Sequence, residues 1–316
     1  MKVRFHLPGL RYNYPLNMMF LSLQKTFPHY FREGVEIASF FGEFPTSLWN
    51  GGRFSNGDQC DEKFIREVIK NINAQGVPVR FTYSNPCITE KDLDDPYCNF
   101  CMQVADNGMN EVIVVSPILE EYIRKTYPSF KINSSTCKEI KDIDTLNAEL
   151  EKDYYMVVLD QNMNKDFEFI NQIQHKEKVE ILVNACCAPD CERRTGHYRI
   201  IDTQQRIVLE NRKLPPEKRK PVPGWYCEAG DKNNLYTIRN NKQFVSPDAI
   251  WETYVPMGFQ NFKLEGRTAN IFSLIDSYTY WMLKPEYRDE GRLCLIYNLE
   301  QSHVISVHKP KPGMWP

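Results

Sequence analysis

The sequence predicts an α/β protein, a (β/α)8 TIM-type barrel with an insert between strands seven and eight. Three observations predict it. Short apolar runs alternate with amphipathic stretches over most of the 316 residues, the pattern of a parallel sheet with helices outside. Eight runs read as strands and seven of them lead directly into a helix, the number of units that closes into a barrel. Nearly every apolar run ends on a polar residue, and in such barrels the chemistry sits at the C-terminal strand ends.

The elements follow in order. Val3 to Leu7 reads as a strand, followed by an amphipathic stretch from Asn17 to Phe31. Val35 to Phe41 is β-like and ends at Gly42 and Glu43. Residues 61–75 place Phe64, Ile65, Val68, Ile69 and Ile72 on one helical face. Val77 to Tyr83 is the third strand. Residues 94–107 form a helix with an acidic first turn, which the helix dipole favours. Glu111 to Val115 is a strand, and Pro117 opens the next helix, where its missing N–H costs nothing. Lys131 to Ser134, Tyr155 to Leu159 and Val179 to Asn184 are strands five to seven, with helices at 143–151 and 167–174 between them. After the seventh strand the alternation breaks over residues 186–246. Asn261 to Leu264 is the last strand and 269–283 the last barrel helix. The barrel then spans 1–284, with 285–316 as a C-terminal extension ending in a Pro-rich tail from Lys309.

Composition narrows the function classes. The chain is 42% hydrophobic, enough for a proper core, and its net charge of -2 does not indicate a nucleic acid or an anionic membrane as partner. The first residues lack the apolar core of a signal peptide, and no apolar run approaches the roughly 20 residues of a membrane span. The expectation is a soluble, cytoplasmic protein. Ten cysteines without an export signal point to metal, cluster or redox use rather than disulfides. The segment Arg212 to Gly224 is dense in Pro, Lys and Arg and reads as an exposed linker.

The most chemical stretch follows the seventh strand, where Cys186, Cys187, Cys191, Arg193, Arg194, His197 and Tyr198 crowd together. Cys187 and Cys191 are spaced to reach one metal, and Cys227 lies in the same insert. Cys98, at a helix start on the same barrel face, is the expected fourth ligand, since a helix N-terminus stabilises a thiolate. Cys101, Cys60, Cys87 and Cys186 are the further candidates, whereas Cys137 and Cys294 read as inert core thiols. Spacing alone leaves a 4Fe-4S cluster and zinc open.

In the last strand, alternation separates Lys263, Glu265 and Arg267 from Phe262 and Leu264, so the charged set should point into the barrel or its mouth. Buried charges must pair, which gives Lys263 and Glu265 a structural alternative to a substrate role. Arg267 and Arg53, the latter after Gly51 and Gly52, are the expected anion binders. Glu43 and Glu265 are the candidate proton-transfer carboxylates. Asp160 is better read as a cap. His197 could shuttle protons near neutral pH. Asn85 could orient substrate, or simply shape a turn before Pro86. No Gly-x-Ser-x-Gly elbow and no His-Glu-x-x-His pair is present.

The alternation and two motifs together resemble the collagenase-like peptidase family, U-thirty-two. One motif is Gly258-Phe-Gln-Asn-Phe-Lys-Leu-Glu-Gly-Arg267, preceded by Tyr254; the other is the strand-to-cysteine stretch from Val183 to Cys191. The resemblance covers about residues 1–284 and implies a barrel enzyme. Several members of that family are oxygen-independent hydroxylases of RNA or ubiquinone precursors that hold an iron–sulfur cluster on four cysteines. The resemblance therefore implies an iron–sulfur oxidoreductase or hydroxylase acting on an anionic small-molecule or nucleotide-like substrate. A peptidase and a metal-stapled accessory subunit working with a protein partner are the alternatives. The chain departs from those members in two places. Its cysteine ladder is compressed to Cys186, Cys187 and Cys191, and the loop from Ser47 to Arg53 carries no cysteine.

Overall fold

The structure, a computed structural model, describes residues 2–54, 57–227, 237–267 and 269–306. Eight strands close into a barrel in chain order. They are β1 (Val3–Pro8), β2 (Val35–Gly42), β3 (Val79–Phe81), β4 (Glu111–Val114), β5 (Lys131–Ser134), β6 (Met156–Val158), β7 (Val179–Leu182) and β8 (Asn261–Lys263). Every neighbouring pair is parallel, and β8 pairs with β1 through Phe262 and Phe5. The (β/α)8 class is the observed one.

The helices between the strands are α1 (Tyr14–Thr26), α2 (Glu62–Asn73), α3 (Pro96–Ala105), α4 (Pro117–Thr126), α5 (Ile143–Leu150), α6 (Phe167–Gln172), α7 (Arg194–Arg212) and the single turn α8 (Pro247–Ala249). After the barrel come α9 (Ile271–Met282) and α10 (Arg288–Gln301). Local chemistry sets most starts. Asp61, Asp95, Ser116, Asp142, Asp166 and Asn270 each accept a backbone N–H of the first turn, satisfying donors the helix cannot. In α2, Ile65, Val68, Ile69 and Ile72 are buried, the apolar stripe that drives it onto the sheet.

Some boundaries differ from expectation. The acidic residues expected in the first turn of α3 stand ahead of it, with Asp95 as its cap and Pro96 opening the helix. Pro28 ends α1 early and starts a short turn of its own. The third strand keeps only three residues in the ladder because the chain leaves the sheet at Thr82 to build the mouth. Within the stretch expected as an insert lies α7, whose buried face includes Arg194, Asp202, Gln204 and Gln205. Tyr198, Ile201 and Val208 share that face, but the polar residues among them break the apolar stripe that a hydrophobic pattern reads. Likewise the segment expected only as an extension contains α10. It packs Leu295 and Leu299 inward, and Gly291 lies so close to Leu283 that a Cβ there would stand 2.4 Å from its Cδ2. The tail from Lys309 lies outside the described residues. Among the described residues, no helix is long and apolar enough to cross a membrane.

The barrel interior carries charge. Arg80 of β3 donates to Glu111 of β4 at 2.7 Å and pairs with Glu180 of β7, and it contacts His6 Nδ1 of β1 at 2.8 Å. Asn133 of β5 donates to Glu111 at 3.0 Å. Lys263 Nζ of β8 lies 3.2 Å from Glu180. All these groups except Lys263 are essentially without solvent. Paired this closely, the charges offset the desolvation that would otherwise exclude them.

Candidate active site at the barrel mouth

A cavity of about 90 Å³ opens at the C-terminal end of the barrel. Its floor is Phe41, Thr82, Leu182 and Lys263 from the strand ends, and its walls include Arg53, Cys137, Cys187, Tyr198, Glu265 and Arg267. That volume takes a group of several heavy atoms, not a folded chain.

The loop after β2 builds one wall. Residues 44–51 are buried across the mouth, and Gly51 is required there, because a Cβ would stand 2.0 Å from the Ser84 carbonyl oxygen. Asn50 and Gly51 then clamp Arg267. Its guanidinium donates to Glu43 at 2.9 Å, Asn50 at 2.9 Å, Thr82 at 2.6 Å and the Gly51 carbonyl at 2.7 Å. Arg267, expected as an anion binder, touches the cavity but spends its donors on the scaffold. Glu43 is correspondingly tied to Arg267 and Thr82 and acts as a positioning carboxylate.

Arg53 is the more open cation. Its Nη2 pairs with Glu265 and lies 3.9 Å from the Cys187 sulfur, and its Nη1 donates to the Gly52 carbonyl at 3.0 Å. Glu265 is steadied from behind by the Cys186 N–H at 2.9 Å. Lys263 and Glu265 do not pair with each other: Lys263 reaches down to Glu180 and Glu265 reaches across to Arg53.

The other expected residues are placed as follows. Asn85 is buried away from the cavity. It donates to the Leu48 carbonyl and to Asp202 at 2.8 Å each and accepts from the Cys87 N–H at 2.9 Å, which shapes the turn and pins α7. Asp160 caps a turn at Asn162 and pairs with Arg194. His197 stacks on Trp225 with 5.0 Å between ring centres. Burial, with Arg53 and Arg193 nearby, pushes its imidazole down to about 4, so it is uncharged near neutral pH.

The thiols do not fit the expected four-ligand centre. None of the ten cysteines is in a disulfide, and among the described residues no three His, Cys, Asp or Glu side chains are grouped to hold a metal ion. Cys98 lies wholly inside the apolar core with Cys101. Burial pushes its thiol well up, with Asp95 adding to the shift, so desolvation outweighs the helix terminus invoked for it. Cys187 faces the cavity, whereas Cys191 and Cys227 are half-buried and are not among the residues that line it. Cys137, expected to be an inert core thiol, lines the cavity instead. Tyr198 is the other lining residue that sequence reasoning noticed without assigning. Burial raises its phenol well above the ordinary value, which keeps it a neutral hydrogen-bonding group.

A closed parallel barrel with cations, a carboxylate and thiols at its mouth defines the class: an α/β barrel with an enzyme-like site. Its resemblance is to U32-like peptidases. The chain is 26% identical over 98 residues to the uncharacterized protease MJ1657 of Methanocaldococcus jannaschii, a match covering 30% of this chain and 29% of that protein. The solved structure of the U32 peptidase Mk0906 superposes with a TM-score of 0.49 and 12% identity, covering 85% of this chain and 95% of that one. No protein-family model matches the chain.

Proposed function

We propose that the chain is an enzyme that binds a small carboxylate-bearing substrate in the mouth cavity and acts at its carbonyl carbon, with Cys187 as the reactive thiol. The position of Arg53 carries this reading. Its guanidinium stands between the Cys187 sulfur, at 3.9 Å, and the Glu265 carboxylate, at the edge of the cavity. A planar fork of donors suits a carboxylate. Glu265, already seated on Arg53, occupies the place a substrate carboxylate would take and is the side chain positioned to move a proton. Chemistry at a carbonyl carbon agrees with the protease name of the archaeal relative. Among the described residues the thiols are not gathered for an iron–sulfur cluster.

The test is alkylation. In native protein, iodoacetamide should label Cys187, and pyruvate or an N-acetyl amino acid should protect it by at least about tenfold, the effect of roughly 1.4 kcal/mol of binding. Arg53→Met should remove the protection while leaving Cys187 reactive. Protection that survives Arg53→Met, or a Cys187 thiol that no reagent reaches, would sink the reading.

A further inference from the structure

The amine of Lys263 lies in an unusual position for a structural ion pair. It ends β8, forms part of the cavity floor and keeps 11% of its side chain exposed. Its carboxylate partner, Glu180, is shared with Arg80. On its other side the amine sits 4.3 Å from the centre of the Phe41 ring. An amine that is nearly dry, flanked by other cations and open on one side to a small cavity is poised as a nucleophile.

We propose that Lys263 condenses with the carbonyl of a small 2-oxo acid whose carboxylate rests on Arg53. The proposal deepens the reading above, from which it takes only the role of Arg53. In the step the nitrogen bonds to the carbonyl carbon, the carbon–oxygen bond breaks, and the oxygen leaves as water with two protons of the ammonium group. The product is a protonated imine. It keeps its positive charge beside Glu180, so the buried ion pair survives the reaction. Burial first, then Arg80 and Arg267, pushes the amine below the ordinary lysine value against the opposing pull of Glu180, which eases release of the first proton. The size of the cavity limits the acid to a few carbons. Cys187, beside Arg53, would then be the thiol within reach of the carbon next to the imine.

Reductive trapping tests this. Native protein is treated with pyruvate and sodium borohydride, whose hydride reduces the imine to a stable amine, and peptides are mapped by mass spectrometry. The expected result is one carboxyethyl group on Lys263, at an occupancy at least about tenfold above any surface lysine. It should be absent in Lys263→Arg, which keeps the cation and the fold, as its circular dichroism would verify. Labelling scattered over surface lysines with Lys263 unmodified, or no labelling in the folded protein, overturns the proposal without touching the thiol reading. Because the native chain carries the decisive readout, a variant that failed to fold would not blur it. Trapping on Lys263 that persists undiminished in Arg53→Met upholds the imine and removes Arg53 as the carboxylate site.

Discussion

At the scale of single residues, the guanidinium of Arg80 is the hinge of the interior. It holds Glu111 and Glu180 together, and removing it leaves Glu180 to Lys263 and strands Glu111 as a buried carboxylate without a cation. Arg80→Met should destabilise the protein by about 3–5 kcal/mol, measured by urea unfolding, the usual result of orphaning a buried charge. The double variant Arg80→Met with Glu111→Gln should recover part of that loss. Two buried or half-buried histidines set the pH response. His6 is pushed well down by burial and Arg80, and His197 to about 4. Both are neutral in the fold, so the unfolded chain binds more protons below about pH 6.5, and stability should fall as pH drops from there toward 4. A second loss should follow at lower pH, as Asp92 and Glu149, both held at about 2 in the fold, take up protons and give up their ion pairs. Unfolding midpoints at about pH 7, 5 and 3 would resolve the two stages, and a flat profile between 7 and 5 would contradict the histidine assignment.

At the scale of elements, the loop after β2 is the part most sensitive to a single methyl group. Gly51→Ala must push the chain away from Ser84, and with it the carbonyl that holds Arg267. The expected outcome is a loss of about 1–3 kcal/mol, together with faster alkylation of Cys187 as the wall loosens. The same scale shows what a sequence discloses. Strands such as β1, with Val3, Phe5 and Leu7, and the helix α2 were legible because their apolar residues recur with the period of the element. The helix α7 was hidden because polar groups share its inward face with Tyr198, Ile201 and Val208, held by hydrogen bonds such as Gln205 to Asn50 at 2.9 Å and Asn85 to Asp202 at 2.8 Å, which interrupt the hydrophobic rhythm. In the mouth, alternation along β8 pointed to Lys263, Glu265 and Arg267. It could not tell which charges pair, because Glu180 and Arg53 come from other parts of the chain. The inward placement of Cys98 was illegible for a related reason: a cysteine at a helix start serves equally as ligand or as core filler, and only packing decides.

At the scale of the whole molecule, the barrel extends past its eighth unit. Phe31 bridges to Leu283, and α10 lies against α1 and α9 with Leu295 and Leu299 buried. A chain cut at residue 284, the boundary that the alternating pattern suggests, would expose those contacts on α1 and α9. It should unfold at markedly lower urea or aggregate, since losing each buried leucine costs about 2–5 kcal/mol. Equal stability of the truncated and full chains would show α10 to be an appendage.

The matching of charge inside the barrel has a consequence for anything that enters it. Arg53, Arg80, Lys263 and Arg267 each meet a carboxylate, from Glu265, Glu111, Glu180 and Glu43. An arriving acid that takes Arg53 evicts Glu265 and leaves the mouth one negative charge in excess. The simplest relief is a proton drawn from solvent, so occupancy should be coupled to acidity: calorimetric heats should vary with the ionisation enthalpy of the buffer, and affinity should weaken as the medium becomes more alkaline.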